Sequence, residues 1–464
     1  VSEAEARGGV SHRLHDRLEA IVDLLAGQDV HSLTKAANVE LRQQLDELHP
    51  ADIAFILEAM PLDRRLAVWQ LVKADRDGEI LLEVSDAVRE SLIADMDRSE
   101  ILAAAVTMDA DELADLVEDL PTAMLPELMA GLDAQQREQV QSALSYADDQ
   151  IGALMDFEMV TIREDVSLEV VLRYLRRFDE LPAQTDKLFV INHDNLLTGV
   201  LPLHWLLVNS PDKMVSHVMA PDVNTFHPVD DAYEVAQAFE RYDLVTAPVV
   251  DERGHLIGRI TIDAMVDVIR EEGEAEMLGR AGLREEEDIF ASIWASVRNR
   301  WSWLAINLVT AFLASRVIGL FEESIEKLVA LATLMPIVAG IGGNSGNQTI
   351  TMIVRATALD QVNPNAIRRL WRKELGVALF NGLVWGGVIG TVAALLYHRP
   401  MLGVVMTAAM TLNLLLAAFM GVGIPMAMIR LGRDPALGSS VFLTFMTDSG
   451  GFFIFLGLAS LFLV

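Results

Sequence analysis

Two textures alternate along this chain. From Trp301 onward apolar residues run almost without interruption, in five stretches: Trp301–Phe321, Leu328–Thr357, Leu375–Tyr397, Leu402–Ile429 and Leu437–Val464. Each approaches or exceeds the roughly 20 residues that cross a bilayer as a helix, and the longer ones leave room for tilt or kinks. The pattern therefore predicts a polytopic helical membrane domain with five spans. Arg368, Arg369, Arg372 and Lys373 separate the second and third stretches, and Arg430 and Arg433 the fourth and fifth. The alternate loops carry Glu322, Glu323, Glu326 and Lys327, and His398 and Arg399. Basic loops stay on the cytoplasmic side. This predicts a multi-pass protein of the cell's inner (plasma) membrane, with a cytoplasmic N-terminal half and Val464 on the outer side.

Before Trp301 the periodicity is that of soluble domains. From about Ala20 to Leu154, leucine and alanine recur at i, i+3 and i+4, as in helices. A loose repeat links Leu48–Pro61 with Met108–Pro121, each an acid-capped helix closed by proline. Such recurrence suits a small superhelix of helix pairs, and an ordinary bundle equally. From Val160 the texture becomes β and α in alternation, twice over. Leu188–Ile191 and Leu197–Leu201 flank Asn192-His193-Asp194-Asn195, and Ala247–Val250 and Leu256–Ile260 flank Asp251-Glu252-Arg253-Gly254. An amphipathic helix precedes each copy, Ser167–Arg177 and Asp231–Tyr242, and another follows near Leu203 and Asp263. A unit of about sixty residues buries its own sheet poorly, so the copies should pair. The segment after Asp267 is strongly acidic and leads into an amphipathic connecting helix, Asp288–Arg300, bearing Ile289, Phe290, Ile293, Trp294 and Val297.

Charge sharpens the division. The 464 residues are 52% hydrophobic yet carry a formal charge of −31. Only 7 acidic and 10 basic side chains follow Trp301, leaving 60 acids and 26 bases before it. This excludes a single globular enzyme domain, and it excludes a nucleic-acid binder, which needs basic patches. The absence of cysteine excludes disulfides, thiolate metal sites and thiol catalysis. Val1 to Leu18 mix charges without an apolar core, so no signal peptide is expected.

The chemistry lies in the polar residues that hydropathy should have removed. Asp448, in Phe445–Phe453, is an isolated carboxylate within the last stretch. It should face water, a cation, a partner such as Arg316 or Arg355, or hold a proton shared with Thr447 or Ser449. Gly340–Gln348, following Pro336, holds four glycines, three amide side chains and a serine. It should loosen the second helix and expose carbonyls, which is tolerated only against protein or a water-filled path. Gly343, Asn344, Asn347 and Thr447 are thus candidate pore-lining residues. An odd number of spans favours a pore between two copies, a homodimer. Two Asp448 carboxylates on its axis would select cations and suit hydrated Mg²⁺, which releases water reluctantly; Mn²⁺, Co²⁺ and Ni²⁺ are not separated from it. The competing reading is an ion-coupled carrier for divalent cations using Asp448 as the coupling carboxylate. An intramembrane aspartyl protease would need a second facing aspartate.

Together these features resemble the MgtE family of magnesium channels over nearly the whole chain. The resemblance rests on the duplicated unit read as CBS domains, the run from Pro336 through Gln348, the loop Gly432–Leu437, and Thr447-Asp448. It implies a helical N domain (1–150), two CBS domains (151–212 and 213–272), a connecting plug helix (273–300), a five-span pore (301–464), a homodimer and no enzymatic activity. By the same resemblance Asp448 holds hydrated Mg²⁺ in the pore, and cytosolic Mg²⁺ between acidic faces keeps the gate closed. Asp243, Asp267, Glu272 and Asp434 match the family's sensor ligands, Asp231 and Glu276 are similar, and Asp109 with Asp111 are candidates to face the CBS pair. Ala264 stands where a second acid is usual. Neither Leu201–Trp205 nor Thr261–Ala264 places an acid three residues after Ser or Thr, which argues against ATP as a ligand here.

Overall fold

A computed structural model of the chain describes residues 21, 35–106, 108–121, 123–283, 288–358, 364–433 and 438–464. Two units are described in turn, 1–273 with 287–291, and 274–286 with 292–464.

The first unit begins with short helices, from Lys35–Asp46 to Ala134–Ala143. Their brevity is written locally. Pro50 opens one helix at a position where a missing N–H costs nothing, and Pro61 precedes the next. Asp133 caps a third by accepting from Gln135 and Gln136 N at 2.8 Å. One apolar core, including Ile53, Ile56, Leu57, Leu92 and Leu116, joins them. Arg65 lies wholly inside it, donating to the carbonyls of Leu57 (2.9 Å) and Met60 (3.0 Å), to Ser91 Oγ (3.2 Å), and to Asp288 Oδ2 at 2.7 Å.

The duplicated unit has the expected strands. β1 (Thr161–Arg163) runs parallel to β2 (Lys187–Ile191), which pairs antiparallel with β3 (Leu197–Pro202). β4 (Thr246–Val250) pairs antiparallel with β5 (Leu256–Thr261), Ala247 opposite Ile260 and Val249 opposite Gly258. Helices Leu168–Leu175 and Ala232–Tyr242 precede each hairpin, and Leu203–Val208 and Ile262–Ala281 follow. The copies are stitched by Leu197 N to Gly254 O (3.1 Å), Thr246 Oγ1 to Asp186 Oδ1 (2.6 Å) and Lys187 Nζ to Thr246 O (2.8 Å).

One boundary moves. Ile151 and Met155, assigned from sequence to the first copy, lie in the core of the second, where Asp156 bridges Arg259. Conversely Val215 and Val218 complete the core of the first copy. Each copy thus draws a segment from across the expected border, the second an extended stretch at Asp156 against Arg259 and the first the short helix Val215–Val218.

The connecting segment is also corrected. Asp288–Arg300 is not one helix. Asp288 Oδ1 accepts from Phe290 N at 2.9 Å in a turn, and Ser292 Oγ then accepts from Ala295 N at 3.3 Å. That cap starts a single helix, Ile293–Gly319, which absorbs the rest of the segment into the first apolar stretch. The earlier part, from 273, belongs to the end of the Ile262 helix.

In the second unit the Ile293 helix is followed by Ala330–Ala358, Pro364–Leu396, Pro400–Arg430 and Ser439–Phe462, with a short Glu322–Lys327 between the first two. Among the described residues four helices are long and apolar enough to cross a membrane: Ile293–Gly319, Ile367–Leu396, Pro400–Arg430 and Ser439–Phe462. The Ala330 helix has 29 residues and so a length of about 43 Å, but its glycine and amide run lowers its apolar character. The Pro400 helix is central, burying Val405, Met406, Ala409, Leu414 and Ala417 among others.

Candidate functional site

The candidate site is built where the Ala330, Pro400 and Ser439 helices meet. On the Ser439 helix, Leu443, Thr447, Gly451 and Phe455 fall four apart and are all buried, forming its inward stripe. Thr447 Oγ1 is used locally, donating toward the carbonyls of Leu443 (3.0 Å) and Thr444 (3.2 Å). Asp448 is one step off this stripe and half-buried. Neither Arg316 nor Arg355 pairs with it among the described residues. Its carboxylate stands in an apolar helix with its charge still to be balanced.

The run Gly340–Gln348 does not break its helix, contrary to expectation: Ala330–Ala358 is continuous. Two of the glycines, Gly342 and Gly346, serve packing instead. A Cβ at Gly342 would lie 2.3 Å from Asn413 Nδ2, and one at Gly346 would lie 2.6 Å from Leu443 Cδ2. One at Gly343 would lie 3.7 Å from Thr447 Oγ1. Gly343 and Thr447, expected to line a pore, therefore face each other across a helix contact within one chain. The amides go the other way. Asn344 and Gln348 are exposed and Asn347 partly so. With Thr351 and Arg355, Asn344 and Gln348 make a polar stripe at helical spacing that no described residue of this unit covers.

Sequence reasoning missed two polar side chains here. Asn413 is 1% exposed within the Pro400 helix, and a lone amide in a largely apolar helix leaves no periodic signal. Glu374, expected in the loop before the third stretch, lies inside the Pro364 helix. It is buried, accepts from Thr349 Oγ1 at 3.1 Å, and has Lys373 Nζ at 3.3 Å.

In the first unit the predicted sensor acids are dispersed. Asp231 caps the Ala232 helix, accepting from Glu234 N at 2.9 Å. Asp243 ends that helix in the left-handed conformation, φ 52°. Asp267 and Glu272 lie exposed along the Ile262 helix, and Glu276 partly exposed further on. Asp434 lies outside the described residues. No three carboxylates or histidines among the described residues are gathered as a metal would require.

Acids do converge where the helix Ala110–Asp119 begins. Asp109, its N-cap, donates its backbone N–H to Glu112 Oε2 at 2.9 Å. Asp111 is pushed up to about 8, first by burial and next by the charge of Asp156. Asp156 and Glu158 are themselves raised, chiefly by burial, with Asp109 adding to both. Arg259 opposes this through a 2.7 Å pair with Asp156. The charge of Asp156 thus reaches Asp111, and that of Asp109 reaches Asp156 and Glu158; Asp156 and Glu158 had not been singled out, because nothing marks them among so many similar acids.

Comparison with known proteins adds to this geometry. The divalent cation transporter model MgtE matches residues 335–458, the MgtE intracellular N domain 48–149 and a CBS domain 215–271. The magnesium transporter MgtE of Thermus thermophilus is 31% identical over 91% of this chain and 95% of its own. This chain belongs to the MgtE family. The Bacillus subtilis magnesium transporter MgtE is 28% identical over 91% of the chain and 94% of its own. A solved cytosolic domain of the Mg²⁺ channel MgtE in complex with ATP is 28% identical, spanning 54% of this chain and 99% of its own at a TM-score of 0.47. The MgtE transporter match begins inside the Ala330 helix and ends inside the Ser439 helix, so the glycine run, Asn413 and Asp448 all fall within it.

Proposed function

We propose that this MgtE-family chain carries Mg²⁺ into the cell through a pore on the axis of a homodimer, and that cytosolic Mg²⁺ closes it. The observation that carries the reading is Asp448: a half-buried carboxylate in an apolar helix with no counter-ion among the described residues. An intramembrane charge costs at least a few kcal/mol unless a cation or water meets it. The exposed amides Asn344 and Gln348 agree with it, since lipid cannot satisfy them. A second copy covering that stripe gives them partners and brings two Asp448 carboxylates to one path. The Ala330 helix then serves as the fifth span, its low hydropathy explained by the path it lines. Curated relatives bearing the name magnesium transporter support the ion.

Regulation follows from charge. The charges of Asp109, Asp111, Asp156 and Glu158 act on one another in a partly buried region, and Asp243, Asp267, Glu272, Asp231, Glu276 and Asp434 are the further candidate sensor ligands. A divalent cation relieves this repulsion and favours the state that binds it. Sensing at millimolar concentration requires weak sites, about 4 kcal/mol each.

The test is Mg²⁺ influx into liposomes carrying an internal Mg²⁺-sensitive dye. Wild type should admit Mg²⁺ without any proton or sodium gradient, and Asp448→Ala should abolish influx while eluting as the same oligomer. Undiminished influx in Asp448→Ala removes Asp448 from the path; influx that stops when a proton or sodium gradient is collapsed supports the coupled carrier.

A further inference from the structure

Asn413 has no role in the reading above. It lies mid-way along the Pro400 helix, 1% exposed. Its Nδ2 donates to Val338 O on the Ala330 helix at 2.8 Å, which fixes the orientation of the amide. The side chain passes between two glycines on different helices. A Cβ on Gly342 would lie 2.3 Å from Nδ2, and one on Gly451 would lie 2.7 Å from it. Either methyl would collide with the amide. Its Oδ1 is buried without a hydrogen-bond partner among the described residues, an unusual expense for a group that served packing alone. Leucine would fill a similar volume with no polar atom to satisfy.

We propose that Asn413 is a positioning residue for the cation path: its amide bolts the Pro400 helix to the Ala330 helix through windows opened by Gly342 and Gly451, and so fixes where the Ser439 helix presents Asp448. The connection is short. Gly451 is three residues, just under one turn, beyond Asp448, so the two lie near one another on that helix. On the other side, Gly342 adjoins Gly343, which meets Thr447. A shift of the amide is transmitted to Asp448 through both glycines. This inference rests on Asp448 being the pore carboxylate.

The experiment uses the full chain in dye-loaded liposomes and compares half-saturating Mg²⁺ with maximal influx. Asn413→Leu keeps the volume and removes the bond to Val338, whose carbonyl retains its helical partner. It should raise half-saturation about fivefold, the factor an interhelical hydrogen bond in a membrane supplies, with unchanged elution and melting. Gly451→Ala should produce a similar shift alone and add little to Asn413→Ala, because the clash needs the amide. The proposal is overturned if Asn413→Leu keeps wild-type half-saturation, or if only maximal influx falls, in step with the amount of folded protein. It is equally overturned if Gly451→Ala adds its full effect to Asn413→Ala. If the variants misfold, Asn413→Ser, which restores a small donor, must recover half-saturation along with folding; recovery of folding alone refutes it. Failure of the underlying reading is separate, since Asp448→Ala would then conduct normally.

Discussion

Carboxylates are common before Trp301 and scarce after it, 60 against 7, and the two regions treat them differently. In the soluble unit many are exposed, several are spent on helix ends such as Asp133 and Asp231, and at Asp111 and Asp156 protonation is shifted first by burial and then by neighbouring charge. In the membrane unit Glu374 is bound to Thr349, while Asp448 has no ion-pair partner among the described residues. An abundant group in water acts through its number, and a single group in hydrocarbon acts through its position. The first kind suits a graded response to an ion, the second a fixed point on its route.

The comparison can be broken most severely by separating the regions. A chain lacking residues 1–270 should still admit Mg²⁺ but no longer close as Mg²⁺ rises on the cytoplasmic side, in patch recordings from liposomes. Normal closure would place the sensor in the membrane unit. Next in size is Arg65. Arg65→Ala leaves Asp288 and the carbonyls of Leu57 and Met60 without their donor in a buried site, and should destabilise the first unit by about 3–5 kcal/mol, read by denaturant melts.

A smaller effect concerns pH. Asp111 titrates near 8 in the folded chain, well above its ordinary value of 3.8, so the folded state binds more protons than the unfolded one between these values. Without Mg²⁺, stability should fall as pH rises from about 4 to 8. Asp111→Asn should flatten that slope, and Mg²⁺ should restore stability at the alkaline end. A slope unchanged in Asp111→Asn would assign the effect to other groups. The smallest change is Asp231→Ala, which removes a helix cap and should cost about 1 kcal/mol, with Mg²⁺ closure retained if the cap is the residue's main task.

The hairpins of the CBS pair were legible because alternating apolar residues end at turn sequences, and β2 to β5 fall within a residue or two of expectation. β1 has three residues and too little pattern to be found. The glycine run was misread for a physical reason: glycine weakens a helix in water, but between membrane helices the absence of Cβ lets Asn413 and Leu443 approach closely, and the helix runs on unbroken. The connecting helix was misplaced because apolar spacing continued through Asp288–Ala291, while one side-chain bond from Asp288 and the Ser292 cap decided where helix begins. Asn413 and Arg65 are single polar residues in apolar surroundings, visible once their partners are known and not before.

The grip of Arg65 on Asp288 also sets a length. From Asp288 to Ile293, where the first long apolar helix starts, the backbone advances five residues and reaches no further than about 17 Å when fully drawn out. That short stretch begins at a residue the helical N domain holds directly, so the domain grips the chain at two places, where it passes into the CBS pair and again at Asp288.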